Sequence, residues 1–383
     1  MSEDNKTRKR NILQIVPALN CGGVERGTID IAKAISISGN NSYVLSSGGI
    51  LCKQIKDIKN AHLIKHNVSS KNPITIIRNI SYIRNLIEAE KIDLVHARSR
   101  APAWSAYYAA KKLDIPYVTT FHGIYSMQSQ LKKYYNSIMT KGDKVIAVSE
   151  FVKNHILENY EIDENKITVI YRGVDLDYFN PQNCDEKLKN KFTEKYNLPN
   201  SVPLIILPSR LTSWKGQNIL IKALAEIKKL DFYCLLVGDL SNHPSYVDSL
   251  NTLIRENKLQ SKVQIFGSEM DIVGLYDRAD IVVSSSVEPE AFGRTIVEAQ
   301  AMAKIVVATN IGGSAETIED GVTGFHVKPN DHIAMSLVIK AALSILGTMK
   351  ADEMTSNARK SVAQHFSLDR MQKDTLSLYS TLI

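Results

Sequence analysis

Two carboxylates, Glu290 and Glu298, stand with seven residues between them in the run Glu288-Pro289-Glu290-Ala291-Phe292-Gly293-Arg294-Thr295-Ile296-Val297-Glu298. The run follows an apolar strand-like segment, Ile281–Ser284, and opens a helix-like one. Gly293 lets backbone come close to a ligand, and a helix starting near Arg294 offers free N–H groups and a positive dipole end to phosphate. Carboxylates beside such an anion site are repelled by it unless they bind hydroxyls, and sugar or ribose hydroxyls fit that need. Thr295 to Glu298 also has the spacing of a capping box, in which Glu298 would satisfy backbone N–H groups. Taken alone, that reading comes first for Glu298. Glu290 precedes the helix in a loop and has no such structural duty.

A second constellation is Leu207-Pro208-Ser209-Arg210-Leu211-Thr212-Ser213-Trp214-Lys215-Gly216. Arg210 and Lys215 come directly after a predicted strand, and Gly216 begins a helix. Two fixed cations there can neutralise a departing diphosphate. Three weaker signals accompany these. Gly22-Gly23 sits in a turn between the first strand and first helix, where backbone N–H groups can meet an anion. His122 ends a strand in Thr119-Thr120-Phe121-His122-Gly123. Asn310-Ile311-Gly312-Gly313-Ser314 is another strand–glycine–helix turn, with Ser314 read as its N-cap.

The elements that must position these residues are short β-branched runs alternating with amphipathic segments. The strand candidates are Ile12–Val16, Ser42–Ser46, His62–His66, Leu94–Ala97, Tyr117–Thr120, Val145–Val148 and Ile167–Tyr171. They resume at Leu204–Leu207, Tyr233–Val237, Val263–Phe266, Ile281–Ser284, Val306–Ala308 and Gly324–Val327. Helix-like segments such as Val24–Ser38 and Ile74–Glu90 lie between them, and Leu368–Leu382 closes the chain. Runs that are apolar throughout predict strands buried on both faces, hence parallel sheets covered by helices. At 383 residues the chain is long enough for two such domains. Residues 176–202, with Pro181, Pro199 and Asn200 around the polar stretch Lys187–Tyr196, read as the connection. Ligands of open α/β sheets bind beyond the carboxyl ends of strands. A cleft between two such domains is therefore the expected active site, with closure excluding water.

Composition narrows the class. No stretch approaches the ~18 apolar residues needed to cross a bilayer. Cys21, Cys52, Cys184 and Cys234 lie far apart, which argues against a disulfide framework or zinc site and suits a reducing cytosol. The basic tip with Lys6, Arg8, Lys9 and Arg10 before Ile12–Leu19 resembles a lipoprotein signal, but Gln14 and Pro17 interrupt the run and Asn20 is not small. Residues 1–175 hold 25 Lys and Arg against 16 Asp and Glu, whereas the remainder holds 22 against 24. A basic first half suggests an anionic partner, either a membrane surface or a phosphorylated acceptor, and scattered solvated lysines give the same count. Gln130-Leu131-Lys132-Lys133-Tyr134-Tyr135 mixes basic and aromatic groups as a membrane-contact element does. No nucleic-acid module is visible.

Taken together and in this order, the motifs resemble the family 4 (group 1) retaining glycosyltransferases of the GT-B fold, over nearly the whole chain. The resemblance implies two Rossmann-like domains whose parallel sheets face an interdomain cleft: residues 1–176 on the acceptor side, 177–365 binding a nucleotide sugar, and a terminal helix 366–383 crossing back to the first domain. It implies that Arg210 and Lys215 hold the donor diphosphate. Glu298 would bind the nucleotide ribose. Glu290 would contact the transferred sugar beside the backbone of Phe292 and Gly293, with Arg294 at the helix start. His122 would lie near the reaction centre and Gly22 and Gly23 in a loop closing over phosphate or acceptor. Residues near Gly267 and Ser268 would neighbour the base. The implied activity is transfer of a hexosyl-type sugar from a nucleotide diphosphate sugar to a glycan or lipid-linked acceptor, in lipopolysaccharide or other cell-surface glycan synthesis. It would take place in the cytoplasm or at the cytoplasmic face of a membrane, with no metal or other cofactor. Ser209 stands where the family often has Gly, and Arg172 where it often has Asn before Gly173-Val174-Asp175. Asp175-Leu176-Asp177 mimics a DxD metal motif of another fold, in a place that suits a domain connection instead. Two other activities fit the same residues: a nucleotide-sugar 2-epimerase, and a non-catalytic nucleotide-sugar-binding protein.

Overall fold

In each of the two sheets every strand pairing is parallel. The computed structural model describes residues 8–20, 22–125, 127–184, 186–199, 202–269 and 271–383; Cys21 and the residues of the basic tip before Arg8 lie outside them. Among the described residues, seven strands build the first sheet: β1 Asn11–Ile15, β2 Asn41–Ser46, β3 Ala61–Lys65, β4 Leu94–Ala97, β5 Tyr117–Phe121, β6 Lys144–Ala147 and β7 Ile167–Val169, in the order β3-β2-β1-β4-β5-β6-β7. Six build the second: β8 Leu204–Pro208, β9 Tyr233–Val237, β10 Val263–Phe266, β11 Ile281–Ser284, β12 Ile305–Thr309 and β13 Phe325–Val327, in the order β10-β9-β8-β11-β12-β13. Both are doubly wound. The order reverses between β1 and β4 in one sheet and between β8 and β11 in the other, and such switch points open a crevice beyond the strand ends.

The predicted strands form because their runs are buried on both faces. β11 is Ile-Val-Val-Ser with all four residues buried, and β4 is buried throughout. Ile205, Leu207, Val283 and Val307 of the second sheet pack with Leu220, Leu224, Met335 and Ile339 from its flanking helices. No single helix among the described residues is long and apolar enough to cross a membrane.

The chain parts into two compact units. The first runs to Arg172 and takes in Leu368–Ile383; the second is Gly173–Ser367. The divisions thus fall a few residues from those read in the sequence, at 176 and 365. The terminal helix, Leu368–Ser380, buries Met371, Thr375, Leu378 and Tyr379 on one stripe. That stripe packs on Ile12 of β1, Leu94 of β4, and Ile31 and Ile35 of the helix Gly23–Ile37. Tyr379 then reaches the sheet itself. Its hydroxyl lies 2.5 Å from Nδ1 of the buried His96, whose Nε2 meets Thr120 Oγ1 at 2.7 Å. Burial, with Arg98 nearby, holds His96 well below the ordinary histidine range, so the ring is neutral and can donate on one side and accept on the other.

Candidate functional site

In the second unit the site residues gather at the switch point, beyond the carboxyl ends of β8 and β11. The loop after β8 is fixed by its glycine. Gly216 has φ +68°, and a Cβ there would collide with the carbonyl oxygen of Ser285. Only glycine allows that approach. Ser285 Oγ donates to the carbonyls of Lys215 and Gly216, at 2.9 and 3.0 Å. The N–H of Val287 donates to the carbonyl of Trp214 at 2.8 Å, which joins this loop to the one leaving β11. The buried Gln217 ties the other end, its Nε2 donating to Ser209 Oγ at 3.0 Å and the Arg210 carbonyl at 2.9 Å.

The cations and carboxylates are paired across these loops. Lys215 Nζ lies 2.6 Å from Glu290 Oε1, and Ser286 Oγ donates to the same oxygen. The lysine and glutamate side chains are only 12% and 15% exposed, so the pair is weakly screened by water. Burial draws the Lys215 ammonium below the ordinary lysine value; Glu290 opposes that shift, and Arg210 adds to it. Both cations pack on one ring, Lys215 Nζ 4.4 Å and the Arg210 guanidinium 5.2 Å from the centre of Trp214. The backbone of Glu290 is also held: its carbonyl accepts from Gly313 N–H at 2.7 Å. Gly312, at φ +68°, permits this, because a Cβ there would meet the Glu290 carbonyl oxygen at 2.6 Å.

The helix after β11 runs Arg294–Ala301 with Gly293 as its N-cap, at φ +87°. Phe292 is buried and meets Phe366 edge to face, with ring centroids 5.7 Å apart. Two sequence expectations fail here. Thr295 lies inside the helix and its hydroxyl donates to the Pro208 carbonyl at 3.4 Å. Glu298 therefore closes no capping box; its carboxylate takes Arg294 Nη2 at 2.9 Å and the Tyr276 hydroxyl at 3.1 Å. Ser314 is likewise not an N-cap. The short helix Gly313–Thr317 is capped by Gly312, and Ser314 Oγ donates back to the Ile311 carbonyl at 2.7 Å. Asp175 Oδ1 accepts from the backbone N–H groups of Asp177 and Tyr178 at 3.0 and 3.1 Å, so it shapes the turn after Gly173-Val174.

The first unit brings together a separate set at the ends of β1, β4, β5 and β7. Gly22 caps the helix that starts at Gly23. Arg172 Nη1 donates to the Gly23 carbonyl at 2.6 Å, and its Nη2 lies 3.1 Å from His122 Nδ1. With Nδ1 accepting, the proton of the neutral ring sits on Nε2, which is shielded and has no hydrogen-bond partner among the described residues. Burial, then the charges of Arg172 and Arg98, hold His122 well below the ordinary histidine range. Thus Arg210, Lys215, Glu290, Phe292, Gly293, Arg294 and Glu298 share the second unit, and Gly22, Gly23 and His122 the first.

Sequence reading passed over Ser286, Gln217, Tyr276 and Arg98. Gln217 lies one residue past the Leu207–Gly216 run and acts back on Ser209 and Arg210 within it, whereas Tyr276 carries no local signal, since it acts on Glu298, distant in sequence. Ser286 and Arg98 were accessible to the rule already applied to Arg210, as both follow the carboxyl end of a strand.

Residues 21–178 match the model of glycosyltransferase family 4, and residues 189–361 that of glycosyl transferases group 1. A glycosyltransferase from Rickettsia africae is 51% identical, with 98% of this chain and 99% of that one aligned at a TM-score of 0.92. Alr3699/HepE of Anabaena, crystallised with UDP-glucose, is 26% identical over 97% of this chain and 99% of its own, at a TM-score of 0.82. An uncharacterized glycosyltransferase of Methanocaldococcus jannaschii is 28% identical over 73% of this chain and 79% of its own length. With both halves matched in order on two doubly wound parallel sheets, the chain belongs to the family 4, group 1 glycosyltransferases of the GT-B fold.

Proposed function

We propose that this glycosyltransferase moves a sugar from a nucleotide diphosphate donor to a glycan or lipid-linked acceptor, with retention of anomeric configuration. The observation that carries the reading is the pairing of Lys215 with Glu290 beside Arg210, at the carboxyl ends of β8 and β11. Cations fixed at a switch point beside a glycine-capped helix start are suited to a diphosphate. Both bonds to the Glu290 carboxylate fall on Oε1, which leaves Oε2 to a sugar hydroxyl. Glu298, steadied by Arg294 and Tyr276, is suited to the ribose hydroxyls. The Anabaena relative was crystallised with UDP-glucose, which favours a uridine donor.

In this mechanism the bond between the anomeric carbon and the diphosphate oxygen breaks as the acceptor oxygen attacks from the same face. Arg210 and Lys215 stabilise the negative charge that develops on the leaving diphosphate, so no metal ion or cofactor is required. The acceptor hydroxyl proton passes to a phosphate oxygen of the leaving group. His122, neutral and with a shielded N–H, serves the reaction centre as a hydrogen-bond donor and not as a cation.

The first unit supplies the acceptor side. Its surface suits an anionic bilayer: Leu131 and Tyr134 are 81% and 65% exposed on the helix Gln130–Ser137, beside the exposed Lys132 and Lys133. Tyr134 and the exposed Tyr108 both pack on Trp104, at centroid distances of 5.4 and 6.4 Å. A membrane-borne acceptor for a cell-surface glycan such as lipopolysaccharide fits this face.

The test of the donor reading is a thermal-melting panel of UDP, GDP, ADP and CMP with EDTA present. One diphosphate should raise the melting temperature, stabilising the fold by about 2.7 kcal/mol at a hundredfold excess over its dissociation constant. Stabilisation by none of them on a folded sample overturns the reading. Donor incubated without acceptor should be recovered unchanged; its conversion to an epimer would assign isomerisation in place of transfer.

A further inference from the structure

Arg210 and Lys215 are held by different means. Lys215 has a carboxylate partner in Glu290. Arg210 is exposed, and its guanidinium makes no hydrogen bond or ion pair with the described residues. Its contact is a ring. The guanidinium carbon stands 5.2 Å from the centre of Trp214, and Lys215 Nζ stands 4.4 Å from the same centre.

The ring is itself fixed. Trp214 is half-buried in the short helix Ser213–Lys215, which ends on the left-handed Gly216. Its carbonyl accepts from the Val287 N–H at 2.8 Å, and the N–H of Lys215 donates to the Thr212 carbonyl at 2.9 Å. The side chain therefore leaves a backbone pinned on both sides.

An indole holds a cation differently from a carboxylate. A carboxylate neutralises the charge and occupies N–H donors, whereas an aromatic face attracts the cation through its quadrupole and leaves those donors free. A long exposed arginine otherwise samples many rotamers, and ordering it when a ligand arrives costs entropy. Two cations on one loop also repel, and Arg210 adds to the lowering of the Lys215 ammonium below its ordinary value. The negative face of the ring offsets that repulsion without cancelling the positive charge that a diphosphate needs. Tryptophan has the strongest such face among the aromatic side chains.

We infer that Trp214 is a positioning residue, presetting Arg210 and Lys215 with their N–H groups free for the diphosphate of the nucleotide sugar. The inference rests on the diphosphate reading of these cations for its ligand, but the contact of ring with cations is testable apart from it.

The experiment compares UDP and UMP by calorimetry in the parent, Trp214→Phe and Trp214→Leu. The parent should bind UDP more tightly than UMP through the second phosphate. Trp214→Leu keeps apolar bulk and removes the aromatic face, so the ratio of UDP to UMP affinity should fall about tenfold or more. Trp214→Phe keeps a weaker face and should hold the ratio within about threefold of the parent. UMP affinity should be the same in all three. Equal losses for UDP and UMP in Trp214→Leu would show that the indole only supports the loop. That result, an unchanged ratio, or a phenylalanine no better than leucine overturns the inference. A second arm needs no ligand. The chain has two tryptophans, so Trp104→Phe leaves Trp214 as the sole indole emitter. In that background Arg210→Gln and Lys215→Gln should each shift the emission, because a charge close to the ring moves its excited-state energy. Emission identical in all three proteins overturns the inference even where nothing binds. If neither UDP nor inorganic pyrophosphate binds the parent, the donor reading fails, and the emission arm alone decides the contact.

Discussion

Lys215 and Glu290, 75 residues apart in sequence, meet at 2.6 Å through the glutamate Oε1. Their contact joins the loop after β8 to the loop after β11, and it is made where little water reaches. A cation so placed is already oriented before a ligand arrives, which is the condition for electrostatic stabilisation without reorganisation. It is also a cation whose charge depends on its neighbours.

Lys215→Ala should lower turnover by ~100-fold or more, the usual loss for a preorganised donor to a developing negative charge. The pH profile gives an independent check. Burial lowers the lysine below its ordinary value of 10.5, Glu290 raises it and Arg210 lowers it. The free enzyme should therefore lose kcat/KM on the alkaline side at a lower pH than an unperturbed lysine would set. Arg210→Gln should move that limb to higher pH, and Glu290→Gln to lower pH. An alkaline limb that stays fixed in both variants removes Lys215 from the role.

Glu298→Ala should weaken nucleotide binding about tenfold, or ~1.4 kcal/mol, and lower stability by about 1–3 kcal/mol through the hydroxyl it leaves unpaired. The carboxylate caps no helix, so its removal frees no backbone group; it leaves Arg294 half-exposed and the Tyr276 hydroxyl without its acceptor. Tyr276→Phe is the control, since it keeps the buried ring and removes one hydrogen bond worth ~1 kcal/mol. Unchanged nucleotide affinity in Glu298→Ala, measured by calorimetry, contradicts the ribose assignment.

The strands were legible because burial on both faces writes them as unbroken β-branched runs. Leu94–Ala97, Tyr233–Val237, Val263–Phe266 and Ile281–Ser284 fall on the observed strands residue for residue. Ends were less so: the run Ile167–Tyr171 continues past Val169, which pairs with Ala147, the last residue of β6. The same divide runs through the site. Arg210, Lys215 and Glu290 were readable from local motifs, whereas their mutual contacts depend on which strands adjoin. Glu298 shows the reverse error. A left-handed Gly293 starts the helix at Arg294, which carries Thr295 past the cap position that its spacing suggests.

Gly216→Ala should be among the more damaging single changes in the second unit. Alanine is strained at φ +68°, and its methyl would meet the Ser285 carbonyl oxygen, which belongs to backbone and cannot swing aside. We expect a loss of at least ~2 kcal/mol in urea unfolding, with Lys215 displaced because its carbonyl shares the Ser285 hydroxyl. Gly39→Ala, also at positive φ but with nothing within 4 Å of the new methyl, separates the two terms. Equal losses at the two positions would show that backbone strain alone sets the cost and that the Ser285 contact adds nothing.

Leu131 and Tyr134 give the last prediction its clean design, because side chains that are 81% and 65% exposed can be replaced without unfolding the protein. The parent should sediment with phosphatidylglycerol vesicles and much less with phosphatidylcholine alone. Leu131→Asp/Tyr134→Ser removes the apolar insertion, and Lys132→Glu/Lys133→Glu the attraction to the surface. Each lysine near an anionic bilayer contributes about 1 kcal/mol, so the charge-reversed pair should bind at least tenfold more weakly. That loss should shrink as salt rises, since surface attraction is screened within a Debye length, whereas the loss in the apolar pair should persist. Stabilisation by UDP should be unchanged in both. Vesicle binding that is absent at low salt, or that survives in both pairs, shows that this helix is an ordinary solvated surface and that the acceptor reaches the enzyme from solution.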